Sequence, residues 1–307
     1  MKQPASTAPG RAGNLPVRYD LRLIAATSSL TAVLLAVTAV AGLLFGARGL
    51  YRRDPATLPT FIGQDAVTLL AVLPLLVWSM RATRRGSLRG LLLWTAALFY
   101  VAYSYAYHAL DPQFNVLYLA YILIVAASLY GCLYLLLSTD ADAVAAAFAA
   151  GAPARAAGAF LMALPLGLGL AWVAMIISHL ATGATPSRVN QVVWPMDLIV
   201  AFPAMFWGGL WLWRRQPLGY LVAAVLLIKG GLLGITLVVN TWLASTFWGV
   251  AADPAVPVYA LGGAGGLVLA ARYLGHLRPR PWHVADDDDT PSSGRSEPGW
   301  STSLRRA

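Results

Sequence analysis

Apolar residues in this chain run in long blocks. They do not alternate with polar ones. Eight blocks stand out, at 23–46, 65–80, 91–109, 116–137, 157–181, 196–213, 218–242 and 256–273, each bounded by short polar segments. Most approach the roughly 20 residues that carry a helix across a hydrocarbon core. The pattern predicts an all-α integral membrane protein, a bundle of eight transmembrane helices. The apolar stretch 218–248 exceeds one membrane thickness at a helical rise of about 1.5 Å per residue, so its far end is expected to tilt, break or emerge. The flanks 1–22 and 277–307 are polar and rich in Pro, Gly, Ser and Thr, the second carrying Asp286 to Asp289. They lack the apolar content to fold and are expected to be disordered tails around a 23–276 membrane domain. The first block is too long, and starts too far from Met1, for a secretory signal core.

Composition agrees with the pattern. The chain of 307 residues is 58% hydrophobic and 11% charged. A soluble domain carries roughly a quarter charged residues, so too few are present here to solvate a globular surface. The net charge of +9 does not point to nucleic acid, because the arginines sit in short clusters between apolar blocks. With the amino end inside, the inner segments hold 17 Lys and Arg and the outer loops hold 4. The positive-inside rule then predicts both termini in the cytoplasm. Several of the eleven tryptophans, such as Trp78, Trp213 and Trp242, fall near block ends, where indole favours the headgroup layer. Cys132 is the single cysteine and lies inside a block, so it forms no intrachain disulfide. The Ala-, Gly- and Arg-rich usage suggests a bacterial protein, and hence the cytoplasmic membrane.

The stretch 99–134 holds eight of the thirteen tyrosines. It reads as two helices joined by a tight turn at Asp111-Pro112, with phenol faces able to meet across it. On a helical wheel Tyr100, Tyr103, Ser104 and Tyr107 share a face, and Asn115 and Tyr118 are neighbours on the next helix, with Tyr121 following. A possible internal repeat also shows. Span two has Asp65, Pro74 and Arg84-Arg85, while span six has Asp197, Pro203 and Arg214-Arg215. The outer turns Asp111-Pro112 and Asp253-Pro254 correspond as well. Two parallel four-span halves would follow, an arrangement that places ligands between the halves.

No dinucleotide, phosphate-loop, zinc-protease or CxxC pattern is present, and no cofactor is identified. The chemistry must come from placement, because polar groups within spans are costly and face a bundle interior or an aqueous cavity. Asp65 and Gln64 open span two, His108 closes span three, His179 closes span five, and Asp197 opens span six; Asn240 lies late in span seven. The bland account is that the tyrosines and histidines belong to the interfacial belt and Asp65 caps its helix. The functional account is an outward-opening aromatic pocket lined by Tyr100, Tyr103, Tyr107, His108, Asn115, Tyr118, Asp65, Asp197 and Asn240. No metal is assigned, although His108, His179, Asp65 and Asp197 form a ligand set of the right type.

Lys229 is the sharpest residue. It sits near mid-membrane in span seven, where a lysine costs about 2.5–3.5 kcal/mol on insertion scales. No Asp or Glu is expected at its depth, so its partners would be carbonyls, tyrosines, or an anionic group in a cavity with Lys229 as the floor. A Schiff base with an aldehyde is disfavoured, since span three has no carboxylate to act as counter-ion. Glycine pairs Gly42/Gly46, Gly230/Gly234 and Gly262/Gly266 have the spacing of close helix contacts, more often internal than between copies. The leading expectation is a membrane protein that binds or transports a small molecule or lipid. A non-catalytic assembly subunit and a membrane-embedded enzyme on a lipid-linked substrate are the alternatives.

Overall fold

The computed structural model describes residues 15–51, 57–110 and 114–278. The Asp111-Pro112 turn, the Asp286–289 run and most of both flanks lie outside them. The described residues are mostly helical, because uninterrupted apolar sequence in the absence of water leaves the helix as the way to satisfy every backbone amide. In order the helices are α1 (Arg22–Leu50), α2 (Leu58–Arg84), α3 (Leu88–Leu110), α4 (Tyr118–Ser138), a short α5 (Ala141–Ala147), α6 (Ala154–Thr182), α7 (Arg188–Trp213), α8 (Pro217–Trp248) and α9 (Val256–Gly275). Seven of them are long and apolar enough to cross a membrane: α1, α2, α4 and α6 to α9. At 23 residues α3 has the length, but its tyrosines, Trp94 and His108 dilute its apolar average. It is also the most enclosed, with 15 of those 23 residues buried.

The outside of the bundle is apolar. Leu70, Leu119, Leu170, Ile199 and Leu261 are each more than 70% exposed. A contiguous apolar exterior of this extent is sustainable only against lipid or a partner. Buried residues of α6 are confined to its first half, Ala154 to Pro165, and its second half projects apolar side chains outward.

Helices α1 to α4 form a ring in which each packs on the next and α4 closes on α1. Helices α6 to α9 form a second ring in the same sequence. The rings meet where α8 packs on α2 and α3, and where α3 touches α7. The α2–α3 and α7–α8 turns share two backbone hydrogen bonds and a positive φ at a separation of 129 positions. Gly86 and Arg215 both have positive φ, at 78° and 56°. The Gly86 N–H donates to Thr83 O and Ser87 N–H to Ala82 O; in the second turn Arg215 N–H donates to Leu212 O and Gln216 N–H to Trp211 O. Gly90 and Gly219 then lie directly on the backbone of the preceding helix, against residues 82–83 and 211–212.

Both α2 and α7 contain a π-helical turn, Thr68–Val72 and Asp197–Ala201, ending two residues before Pro74 and Pro203. A proline ring removes an amide and crowds the carbonyl four residues back, and a wider turn accommodates both effects. The expected kinks thus take the form of π turns. The overlong stretch in span seven does not break: α8 is one helix of 32 residues, about 48 Å at 1.5 Å per residue. Within the 1–22 flank, the described residues from Leu15 onward lie against the C-terminal end of α4. Leu15 is buried, and Arg18 N–H donates to Ser138 O. The Asp140 carboxylate caps α5, accepting from Asp142 and Ala143 N–H at 3.0 and 3.2 Å.

Gly219→Ala is expected to force α7 and α8 apart, since its Cβ would enter the backbone of Trp211 and Leu212. A loss of about 1–3 kcal/mol should appear in thermal unfolding of the detergent-solubilised protein. Gly230→Ala, whose Cβ would meet only the end of Met205 at 3.8 Å, should show no loss.

Candidate functional site

A cavity of about 360 Å³ lies where the two rings meet. Its mouth is formed by Asn190 at the start of α7 and by Val250, Ala251 and Asp253 in the α8–α9 loop. It runs down between α3, α6, α7, α8 and α9 to Lys229. Leu164, Leu168, Phe202, Met205 and Leu233 make an apolar wall, and Gln64, Ser104, Tyr107, Thr236 and Asn240 a polar one. Gly230 faces the lumen with open space beside it.

Lys229 is 1% exposed. Its Nζ lies 3.6 Å from the centroid of the Tyr103 ring and 5.9 Å from that of Phe99. Among the described residues it has no hydrogen bond or ion pair to protein. The Tyr103 hydroxyl, on the far edge of that ring, donates to Asp197 Oδ1 at 2.5 Å. Trp172 Nε1 donates to Asp197 Oδ2 at 2.9 Å. The expectation that no carboxylate lies near Lys229 is therefore corrected: Asp197 is close enough for its charge to act on the lysine. Asp197 does not open its helix. It stands nine residues inside α7, because the polar segment 188–195 is already helical, capped by Ser187 Oγ accepting from Asn190 N–H.

Asp65 is corrected in the same way. Helix α2 begins at Leu58, so Asp65 is not a cap; it is buried in the helix interior and accepts a 2.6 Å bond from the Tyr51 hydroxyl. Gly42 of α1 leaves the space this pair occupies, as a Cβ there would collide with the carboxylate. Neither Asp65 nor His108 lines the cavity. His108 is enclosed by rings, with centroids 5.1 Å away at Phe61, Tyr105 and Tyr121 and about 6 Å away at Tyr51 and Tyr107.

The tyrosine face of α3 divides. Tyr103 and Tyr107 line the cavity, whereas Tyr100 sits beside it and bridges three helices. Its hydroxyl is 2.7 Å from Thr236 Oγ1 on α8 and accepts from Gln64 Nε2 on α2 at 3.1 Å. The phenols that meet across α3 and α4 are Tyr105 and Tyr121, with ring centroids 6.2 Å apart. Asn115 and Tyr118 do not reach the cavity. The Asn115 Oδ1 accepts from Leu117 N–H in the turn before α4, and Tyr118 packs on Phe114. Asn240 does line it, with Oδ1 buried against Gly63 and unbonded.

His179 lies elsewhere, in a second recess beside Trp194, where the end of α6 meets the start of α7. His108, His179, Asp65 and Asp197 do not converge, and among the described residues no group of three His, Cys, Asp or Glu is placed to hold a metal. Sequence reasoning missed Trp172, whose signal was an indole inside an apolar block, away from the belt at its edges. It also passed over Tyr51, which follows directly on the end of α1. Compared with known proteins, the chain matches no family model, no curated protein and no solved structure.

Tyr103→Phe removes one of the two side-chain donors on the buried Asp197. It should lower stability by about 1–3 kcal/mol in thermal unfolding. Tyr118→Phe, outside this network, should stay within about 0.5 kcal/mol of the parent.

Proposed function

We propose that this chain is a small-molecule-binding protein of a bacterial cytoplasmic membrane, of the carrier type, and that its ligand occupies the cavity above Lys229. The observation that carries the reading is an unpaired ammonium group at the closed end of a cavity whose mouth is built from loops. Cavities of about 300–1,000 Å³ with apolar walls and a few convergent polar groups are the usual form of a ligand site. Lysine at this depth is costly, and a bound acceptor group offsets that cost where a packed apolar core would not need it.

The reading includes eight spans, with α3 as the eighth, and both termini inside. The 17 to 4 distribution of Lys and Arg supports that topology. It also includes an ancestral duplication of a four-helix unit. The two closed rings, the paired π turns and the matching inner hairpins support it. The cavity then lies at the junction of the halves, where repeat-built transporters hold their substrates. An assembly subunit has no need of a polar cavity, and an enzyme would need a convergent catalytic group beyond Lys229 and Asp197.

Cysteine accessibility tests this. With Cys132 replaced by Ala, Asn240→Cys in intact cells should react with a membrane-impermeant thiol reagent added outside. Leu227→Cys, buried on the same helix, should not. Reaction of Asn240→Cys only from the cytoplasmic side would reverse the topology. Reaction from neither side would remove the cavity as a site.

A further inference from the structure

The cavity's charges define its ligand more narrowly. Lys229 supplies one positive charge and Asp197 one negative charge, both in the enclosed part of the lumen. Asp253, the other acid on the wall, is at the mouth, exposed, and accepts from the Tyr259 hydroxyl at 3.1 Å. The enclosed part is therefore balanced before anything binds. An anion would leave a net negative charge in a low-dielectric site, and a cation a net positive one, and neither charge would be compensated there.

The hydrogen-bond inventory is not balanced. Each Asp197 oxygen already accepts one bond, from Tyr103 and from Trp172. Lys229 offers three N–H donors, and the faces of Tyr103 and Phe99 beside it attract the charge without accepting a directed bond. What Lys229 lacks is an acceptor that brings no charge: the unpartnered wall atoms Ser104 Oγ and Asn240 Oδ1 make no bond to it. We infer that the ligand is a neutral, largely apolar molecule with a carbonyl oxygen, and that this oxygen accepts from Lys229 while its body lies along the Leu164, Leu168, Phe202 and Met205 wall. The inference rests on the binding role proposed above and adds the ligand's chemical class.

Three bicyclic probes of similar size separate the possibilities: acetonaphthone, with a neutral carbonyl; naphthoate, with an anionic head; and ethylnaphthalene, with no acceptor. Binding to the full chain in nanodiscs is read by thermal shift and by titration. Acetonaphthone should bind roughly tenfold more tightly than ethylnaphthalene, the factor expected of one hydrogen bond from a charged donor. Naphthoate should bind more weakly than acetonaphthone. Lys229→Met should erase the preference for acetonaphthone without abolishing binding of ethylnaphthalene.

Gly230→Val fills the lumen where only Met205 is near, and should weaken all three probes. Tightest binding by naphthoate would overturn the neutral-ligand inference, as would equal binding of acetonaphthone and ethylnaphthalene to the parent. If no probe distinguishes the parent from Gly230→Val, the binding role itself fails. Ester-linked and ether-linked lipid discs identify the source of the carbonyl. Weaker acetonaphthone binding in ester lipid marks acyl-ester carbonyls as competing occupants, and equal binding marks a soluble ligand; both outcomes support the carbonyl site.

Discussion

Hydrocarbon offers no partner to a polar side chain, so one inside this bundle is costly unless another meets it. That requirement organises the helices. Trp94 Nε1 donates to Ser28 Oγ on α1, and Tyr105 bonds Thr38 on the same helix. Tyr100 joins Gln64 on α2 to Thr236 on α8, and Tyr103 reaches Asp197 on α7. Every one of these bonds has one end on α3. Its mixed composition, less apolar than that of the seven span-length helices, is what places it at the centre. Cross-helix bonds in membranes average about 0.6 kcal/mol each, so no single one holds the bundle, but together they fix which faces meet.

The two rings use the same parts differently. On the proposed pairing, Tyr100 and Lys229 stand at equivalent positions of α3 and α8. The phenol completes a network and leaves no space around it. The ammonium completes none and faces a lumen. The acids differ in the same sense. Asp65 is served within its own ring by Tyr51, whereas Asp197 takes a bond from Tyr103 of the other ring and another from Trp172 of the lipid-facing α6. The second ring keeps an opening whose walls are tied to its neighbour. Asp197 on α7 is thereby tied both to α6 and to α3 of the other ring.

The fold class was legible because it depends on block length alone. Helix starts were not. Leu58 to Gln64 and Arg188 to Pro195 contain enough polar residues to fall outside an apolar window, yet both are helical, so Asp65 and Asp197 moved from expected entrances to the interior. Lys229 was legible as an anomaly of depth. Its surroundings were not, since its nearness to Asp197 depends on the α7–α8 packing and on the π turn that sets which way residue 197 faces. The tyrosines show the same limit. Periodicity placed Tyr100, Tyr103 and Tyr107 on one face, but only packing distinguishes the one that bridges helices from the two that line the cavity.

A structural role for Lys229 has a specific difficulty. Snorkelling serves lysines near helix ends, whose stems reach the headgroups. Lys229 stands twelve residues beyond Pro217, about 18 Å along α8, and a four-carbon stem cannot cover that distance. Its side chain turns inward onto Tyr103 and leaves the lipid interface to others. A core requirement would be met by leucine or methionine of similar volume, which insert more easily. The tyrosine face and the Asp197 carboxylate bonded to its hydroxyl attract the ammonium, but they leave its three N–H groups without acceptors. Something that enters the cavity, ordered water or a ligand, can supply them. Water would need several polar partners around the ammonium, whose contacts here are the ring faces of Tyr103 and Phe99. A ligand that brings its own acceptor on an apolar body matches those surfaces better than water does.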